Sequence, residues 1–494
     1  MRGVLRNLGP AFGLGLLTAA GQLPLGAWYV ALPALAVVIA RVAGAEGARR
    51  AAAQAWAAGA GHFLGALTWI ISPFLVEPEV YAWMAPFALI LMAAGLALFW
   101  AAAGALSALV AGAVGGQGRR VAAFVAALSG MEALRGVLFT GFPWALPGHI
   151  WIDTPVAQLA AWIGANGLTL LTLVIAALPV MFGPAGAALA ALALAMAFGL
   201  GTLRLSAPLP DGPGLIFRLV QPNARQDLKW DPEQASRLYR LQTEFTAAEP
   251  RPDLVIWPET ALPYLYEPWG DAAQGVARAA RGVPVITGVQ RLEGDAAYNS
   301  LVMIGAGGAE LASYDKAHLV PFGEYIPFGD RLNAWFGLRA FAAQAGFGYA
   351  AGPGPRVLDL GPLGRALPLI CYEAVFPLEV NAPAERPGWL LQITNDAWFG
   401  TLTGPFQHAG IARLRAIEQG LPLVRVANTG VTQMVDARGQ VTHELDFGIA
   451  SFLDAPLPGA LPPTVYNRFG EIPFLVLLAA LCAAVILRRG TATP

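Results

Sequence analysis

Three side chains of the kinds that together transfer acyl groups stand in conspicuous settings in this sequence. Glu259 lies just past an apolar run in Ile-Trp-Pro-Glu-Thr, Lys316 sits in Tyr-Asp-Lys-Ala-His, and Cys371 closes the apolar run of Leu-Pro-Leu-Ile-Cys-Tyr-Glu. A carboxylate that takes a proton, an ammonium that holds developing negative charge and a thiol that attacks are the parts of a cysteine-nucleophile acyl-transfer site. The lysine stands out most. Lys229 and Lys316 are the two lysines of the chain, and arginine supplies every other basic side chain apart from histidine. An ammonium is a compact point charge and a guanidinium a planar fork, so Lys316 reads as a position where arginine cannot substitute. Lys229, in Asp-Leu-Lys-Trp, reads either as a site cation or as a loop residue. The other cysteine, Cys482, has apolar neighbours and reads as packing.

Composition restricts what surrounds such a site. Of 494 residues 56% are hydrophobic and 13% charged, against about 25% charged in an ordinary soluble domain. The net charge of −1 offers no basic surface for nucleic acid. Neither lysine follows the glycine pattern of a phosphate loop, no Gly-x-Ser-x-Gly elbow occurs, and the histidines lack zinc-protease spacing. No nucleotide cofactor or metal is therefore expected. Two cysteines cannot form a disulfide framework.

The apolar excess is uneven. Spans of about 20 apolar residues are needed to cross a bilayer core roughly 30 Å thick. The sequence reads as seven such spans before residue 205 (7–21, 25–40, 52–74, 81–112, 120–140, 156–181 and 184–204) and an eighth at 471–487. The first is read as a retained anchor, because further spans follow it closely. Arg2, Arg6, Arg41, Arg49, Arg50, Arg119, Arg120, Arg488 and Arg489 then fall on one side, the cytoplasmic one. The segment 206–466 falls on the other, the periplasm of a two-membrane bacterium. Glu132 and Arg135 are spaced to pair inside span five, as a functional or a structural pair.

The expected domains are a helical bundle at 1–205, a globular domain at 206–466 and a C-terminal span at 467–494. In the globular part short apolar runs alternate with amphipathic stretches at 231–248 and 406–419, which argues an α/β layered domain. Glu259, Cys371 and Asn395-Asp396 lie at the ends of three strand candidates, where open α/β sheets hold ligands. Trp335-Phe336-Gly337-Leu338 with Phe341 and Phe347, and Leu262 to Tyr266, read either as arms that dip into lipid or as ordinary core.

Taken together, Trp-Pro-Glu-Thr at Glu259, Tyr-Asp-Lys-Ala-His-Leu-Val-Pro-Phe-Gly-Glu-Tyr at Lys316 and Cys-Tyr-Glu at Cys371 resemble the nitrilase, or carbon–nitrogen hydrolase, superfamily. Val-Gln-Pro-Asn (220–223), Asp-Leu-Lys-Trp (227–230), Asn-Asp-Ala-Trp-Phe-Gly (395–400), Thr-Gly-Phe-Pro-Trp (140–144) and the eight-span frame resemble the bacterial apolipoprotein N-acyltransferase family. The resemblance implies an αββα sandwich carried on a membrane bundle. It implies a phospholipid as acyl donor, the α-amine of a diacylglyceryl-cysteine lipoprotein as acceptor, and a thioester on Cys371 between them. It also implies supporting or substrate-binding roles for Glu324, Tyr372, Glu373, Trp398 and Glu418. Trp230 reads as part of a lipid-facing pocket. The competing reading is a membrane-tethered amidase or nitrilase using the same three residues with water as acceptor.

Lys316→Arg tests the reading at its most specific point. An exposed cation would tolerate arginine within about 0.5 kcal/mol. An oxyanion donor would not, and acyl transfer should fall at least about 100-fold with the protein still folded and inserted. Wild-type turnover by this variant would contradict the assignment.

Overall fold

The computed structural model describes residues 2–112, 116–229, 231–326 and 348–487. The chain divides into two units: Met1–Ala207 with Leu402–Gln419 and Pro463–Pro494, and Pro208–Thr401 with Gly420–Pro462.

The first unit is helical, as its long apolar runs require. Helices Arg2–Ala19, Trp28–Ala43, Ala48–Ala66, Ala85–Gly112, Gln117–Arg135, Ala160–Ser206 and Ile472–Leu487 cover the apolar segments read from sequence. By length and apolarity, two described helical stretches suffice to cross a membrane, Pro78–Val110 and Pro155–Ser206. A third qualifies if Ala48–Ala66 and Thr68–Leu75, bent by 50°, act as one. The sequence expects eight. Leu8–Ala19, Trp28–Ala43 and Ile472–Leu487 are apolar but short, and Gln117–Arg135 carries four charged residues. Within Ala160–Ser206, Gly183 takes φ +55° and ψ −134° just before Pro184, at the boundary where the sequence separates two spans.

The charged pair expected in span five is built into the scaffold of this unit. Glu132 and Arg135 form a buried ion pair at 2.5 Å, and Trp100 Nε1 donates to Glu132 at 2.7 Å. The guanidinium also donates to the carbonyls of Phe142 and Trp144, so the pair fixes the Thr-Gly-Phe-Pro-Trp stretch. Trp144 in turn donates to Gln407 at 2.7 Å. Gln407 belongs to helix Gly404–Gln419, which sequence places in the globular segment and which groups with the helical unit. Its amide nitrogen donates to the carbonyls of Leu23 and Ala66, both at 3.0 Å.

Among the described residues the second unit holds twelve strands in two six-stranded sheets. One runs β12-β1-β2-β3-β4-β5, with β1 Ile216–Gln221, β2 Leu254–Ile256, β3 Val285–Glu293, β4 Ala296–Ile304, β5 Glu310–Asp315 and β12 Ser451–Pro456. The other runs β11-β10-β9-β8-β7-β6, with β6 Leu358–Asp359, β7 Arg365–Ile370, β8 Trp389–Thr394, β9 Leu423–Ala427, β10 Gln433–Val435 and β11 Val441–Glu444. Each has a parallel trio at its centre, β1-β2-β3 and β7-β8-β9, with antiparallel strands outside. Parallel strands are covered on both faces and so read as continuous apolar runs, as Leu-Val-Ile in β2 does. The sheets meet face to face, with Phe217 of β1 against Trp389 of β8 at 5.1 Å between ring centres. Helix Asp271–Ala280 lies on the first sheet, burying Ala273 and Val276 with Trp257, Val285 and Val302. Leu262 and Tyr266 belong to that core, and Tyr264 and Leu265 are exposed, so half of the expected apolar arm is packing. Residues 335–347, the other expected arm, lie outside the described residues.

One glycine lets the first sheet close on the site. A Cβ on Gly288 in β3 would stand 2.4 Å from Thr260 N and 2.5 Å from Glu259 Cα. These are backbone atoms and cannot rotate away. Gly288→Ala should destabilise the unit by about 1–3 kcal/mol, read as a lower unfolding midpoint in detergent, with loss of turnover. An unchanged midpoint would contradict this packing.

Candidate active site

The strand ends bring the three residues into one buried neighbourhood. Glu259 follows β2 on a turn in which Thr260 has φ +46°. Lys316 follows β5, and Cys371 follows β7 directly. Lys316 Nζ lies 2.9 Å from Glu324 Oε1 and 3.5 Å from Glu259 Oε1, with all three side chains buried. An isolated ammonium would not stay charged in such a place. Burial opposes its charge, but the Glu324 and Glu259 carboxylates outweigh it and hold the Lys316 pKa well above the usual lysine range.

Glu259 is held at both oxygens. Oε1 accepts from Asn299 Nδ2 at 2.7 Å and Oε2 from the backbone N–H of Asn395, which follows β8, at 2.8 Å. Glu324 accepts from Asn299 Nδ2 at 3.0 Å and, through Oε2, from Val320 N at 2.9 Å. The second contact closes the loop between Lys316 and Glu324.

Cys371 is buried and has φ +53°, a left-handed conformation rare outside glycine. It opens the 3-10 turn Cys371–Val375, the strand-to-turn geometry that presents a nucleophile at a sheet end. Burial pushes its thiol pKa well up, Glu259 adds to that, and Lys316 and a hydrogen bond from Thr394 work against it. Such a group rests as thiol and needs a base when it reacts.

The other side chains expected at the site sort by position. Glu373 ties the Cys371 turn to the lysine loop: Oε2 accepts from Ile370 N at 2.7 Å, and Oε1 from Ala317 N at 2.7 Å, His318 N at 3.2 Å and Tyr314 Oη at 2.8 Å. Burial lifts its carboxyl to about 7 against those donors. Tyr372 packs edge-on against Phe376 at 4.8 Å, and His318 stacks on the same ring. Trp398 is half-buried on the turn Asp396–Phe399. Glu418 is not part of this hydrogen-bond network: in the first unit it pairs with Arg415 at 2.9 Å and accepts from Ala165 N at 3.0 Å. Trp230 lies outside the described residues.

Three residues that sequence reading passed over hold the site up. Asn299 bridges the two carboxylates, as above. Gln392 in β8 donates to the Cys371 carbonyl at 3.1 Å. Arg425 in β9, fully buried, donates to Gln392 and pairs with Asp396 at 2.5 Å. Gln392 and Arg425 interrupt apolar runs in β8 and β9, and Asn299 with Ser300 opens the buried half of β4; those polar breaks are the signal that could have found them. No group of three or more possible metal ligands occurs among the described residues.

Residues 14–178 match the family model described as apolipoprotein N-acyltransferase N-terminal domain, and residues 218–456 that of carbon-nitrogen hydrolase. An apolipoprotein N-acyltransferase of Sinorhizobium fredii is 39% identical over 96% of this chain and 94% of its own. One from Caulobacter vibrioides is 39% identical over 86% of this chain and 83% of its own. Among solved structures, an amidase from Nesterenkonia sp. aligns with 55% of this chain and 99% of its own at 20% identity and TM-score 0.37.

Lys229 carries a testable pH effect. It is buried, donating to Thr260 Oγ1 at 2.6 Å and to the Glu259 carbonyl at 3.4 Å. Burial lowers its pKa to about 8, with Glu259 pulling the other way. Between that value and about 10.4, the unfolded-chain value, the unfolded state binds the proton and the folded state does not, so stability rises with pH. Relative to Lys229→Met, the wild type should therefore gain stability across this window and lose that gain as pH falls through about 8. Parallel unfolding curves at every pH would contradict it.

Proposed function

This chain belongs to the apolipoprotein N-acyltransferase family, and from that premise we propose how its residues transfer an acyl group from a membrane phospholipid to the α-amine of a diacylglyceryl-cysteine lipoprotein. The observation that carries the reading is a buried ammonium, Lys316, on two carboxylates beside a buried cysteine in a strained turn.

Glu259 takes the Cys371 proton as the thiol attacks the donor ester carbonyl. The tetrahedral oxyanion forms against Lys316 and the backbone N–H of Tyr372; one such donor is typically worth about 3–4 kcal/mol. The C–O bond breaks, the lysophospholipid oxygen takes the proton from Glu259, and a thioester remains on Cys371. The acceptor amine then attacks the thioester, Glu259 accepts the amine proton and passes it to the departing sulfur, and an amide forms as Cys371 returns to thiol. Ester and amine go to amide and alcohol, so no energy-rich cofactor enters the balance. The two substrates alternate on one sulfur, which is ping-pong kinetics. Glu324 holds Lys316 in place, and Glu373 keeps the lysine loop against the nucleophile turn. Tyr372 and Trp398 are proposed to contact substrate, and Trp230 to line the lipid side of the pocket. For Glu418 the contacts support a scaffold role in the helical unit.

Both substrates are lipids, which accounts for the large apolar unit. We read it as eight spans. A helix of 47 residues such as Ala160–Ser206 would reach roughly 70 Å if straight, over twice a bilayer core, and the break at Gly183 supports two crossings. With eight, the arginine-rich loops share the cytoplasmic side of the inner membrane and the catalytic unit faces the periplasm.

The test uses vesicles with a labelled phospholipid and a diacylglyceryl lipopeptide. The wild type should release lysophospholipid and amide product in equal amounts. Cys371→Ser should stay folded and lose turnover, since a hydroxyl is far harder to deprotonate; Cys482→Ser should keep it. Free fatty acid without amide would mark a hydrolase instead, and equal loss in both variants would mean the nucleophile is misplaced.

A further inference from the structure

We propose that Asn299 is a positioning residue for acyl transfer, holding the Glu259 and Glu324 carboxylates together on Lys316 so that Glu259 stays aimed at the Cys371 thiol. This rests on the reading of Glu259 as the base. Asn299 lies in β4 and is 2% exposed. Its single amide nitrogen donates to Glu259 Oε1 at 2.7 Å and to Glu324 Oε1 at 3.0 Å, and its backbone carbonyl accepts from Lys316 N at 2.9 Å. One residue therefore touches the base and its partner carboxylate through its side chain, and the backbone of the lysine through its own carbonyl.

The orientation of the amide follows from the charges. Turned over, it would set its oxygen against two carboxylate oxygens. As placed, Oδ1 is buried with no hydrogen-bond partner among the described residues. Buried polar atoms are almost always satisfied, and leaving one unpaired is costly. The two hydrogen bonds to the carboxylates fix the amide in this orientation.

The two carboxylates explain why this helps. Like charges sharing a site oppose each other's ionisation, and Lys316 supplies one positive charge between two negative ones. The groups whose charge reaches Glu259 also include Lys229, the Cys371 thiol and the Tyr349 phenol. An amide adds hydrogen bonds to both anions without adding charge. A serine would offer one donor, an arginine would overturn the balance, and an aspartate would add a third negative group.

The experiment follows thioester formation on Cys371 from phospholipid vesicles, from mildly acidic to mildly alkaline pH, in the full-length protein. Asn299→Ala should acylate about 10- to 100-fold more slowly at neutral pH, the effect of losing a hydrogen bond to a charged group. The acid limb of its pH profile should move to higher pH, because losing that bond disfavours the carboxylate form. Asn299→Asp, which keeps the shape, should also be at least about 10-fold slow at neutral pH. Glu259→Gln serves as the control and should abolish thioester formation at every pH. An inactive Glu259→Gln with an unshifted acid limb in Asn299→Ala, or Asn299→Asp at the wild-type rate, would overturn the assignment of Asn299. Wild-type acylation by Glu259→Gln would instead overturn the reading of Glu259 as base.

Discussion

Everything in the catalytic unit is arranged around one buried charge. Removing an ammonium from water costs several kcal/mol unless anions and hydrogen bonds replace the solvent. Lys316 is stable in its site because Glu324 and Glu259 stand at 2.9 and 3.5 Å. Each carboxylate then needs its own donors, which come from β4, the turn after β8 and the lysine loop itself. Satisfying one cation thus draws four separate chain segments to one point. In the proposed mechanism the acyl oxyanion forms at the same point, so the charge that is costly to bury is the one that the proposal puts to use.

A second constraint is the backbone at Cys371. A positive φ on a side chain with a Cβ persists only where the surroundings over-determine it. Here Glu373 ties Ile370 to the lysine loop, Gln392 holds the Cys371 carbonyl, and Arg425 braces Gln392 and Asp396 from the next strand. The polar residues buried between the sheets are therefore a support for the nucleophile turn. Their hydrogen bonds hold the Cys371 turn against the lysine loop.

Much of this was legible in the sequence, for a physical reason. Parallel strands buried on both faces are apolar until they end, so Trp-Pro-Glu, Ile-Cys-Tyr-Glu and Thr-Asn-Asp announced both the strands and the groups at their tips. The scarcity of lysine singled out Lys316. Asn299, Gln392 and Arg425 were harder, because a polar residue within a strand gives no sign of its partner, which lies elsewhere in the chain. Strands β5, β6, β11 and β12, at or near sheet edges, lack the unbroken apolar run that marks a central strand and were passed over. The allegiance of helix Gly404–Gln419 was also hidden. Its face carries Gln407, Arg415 and Glu418, which look solvent-facing in one dimension and are buried against helices far away in the chain.

The central claim is that the acyl group travels by way of the Cys371 sulfur. Intact-mass analysis and peptide mapping of the protein after incubation with phospholipid, without acceptor, test it most directly. The account predicts one fatty-acyl mass on the peptide containing Cys371, released by hydroxylamine and discharged when a lipopeptide amine is added. A protein that transfers acyl chains to the lipopeptide while never carrying one, or that carries it on another residue, would contradict the account.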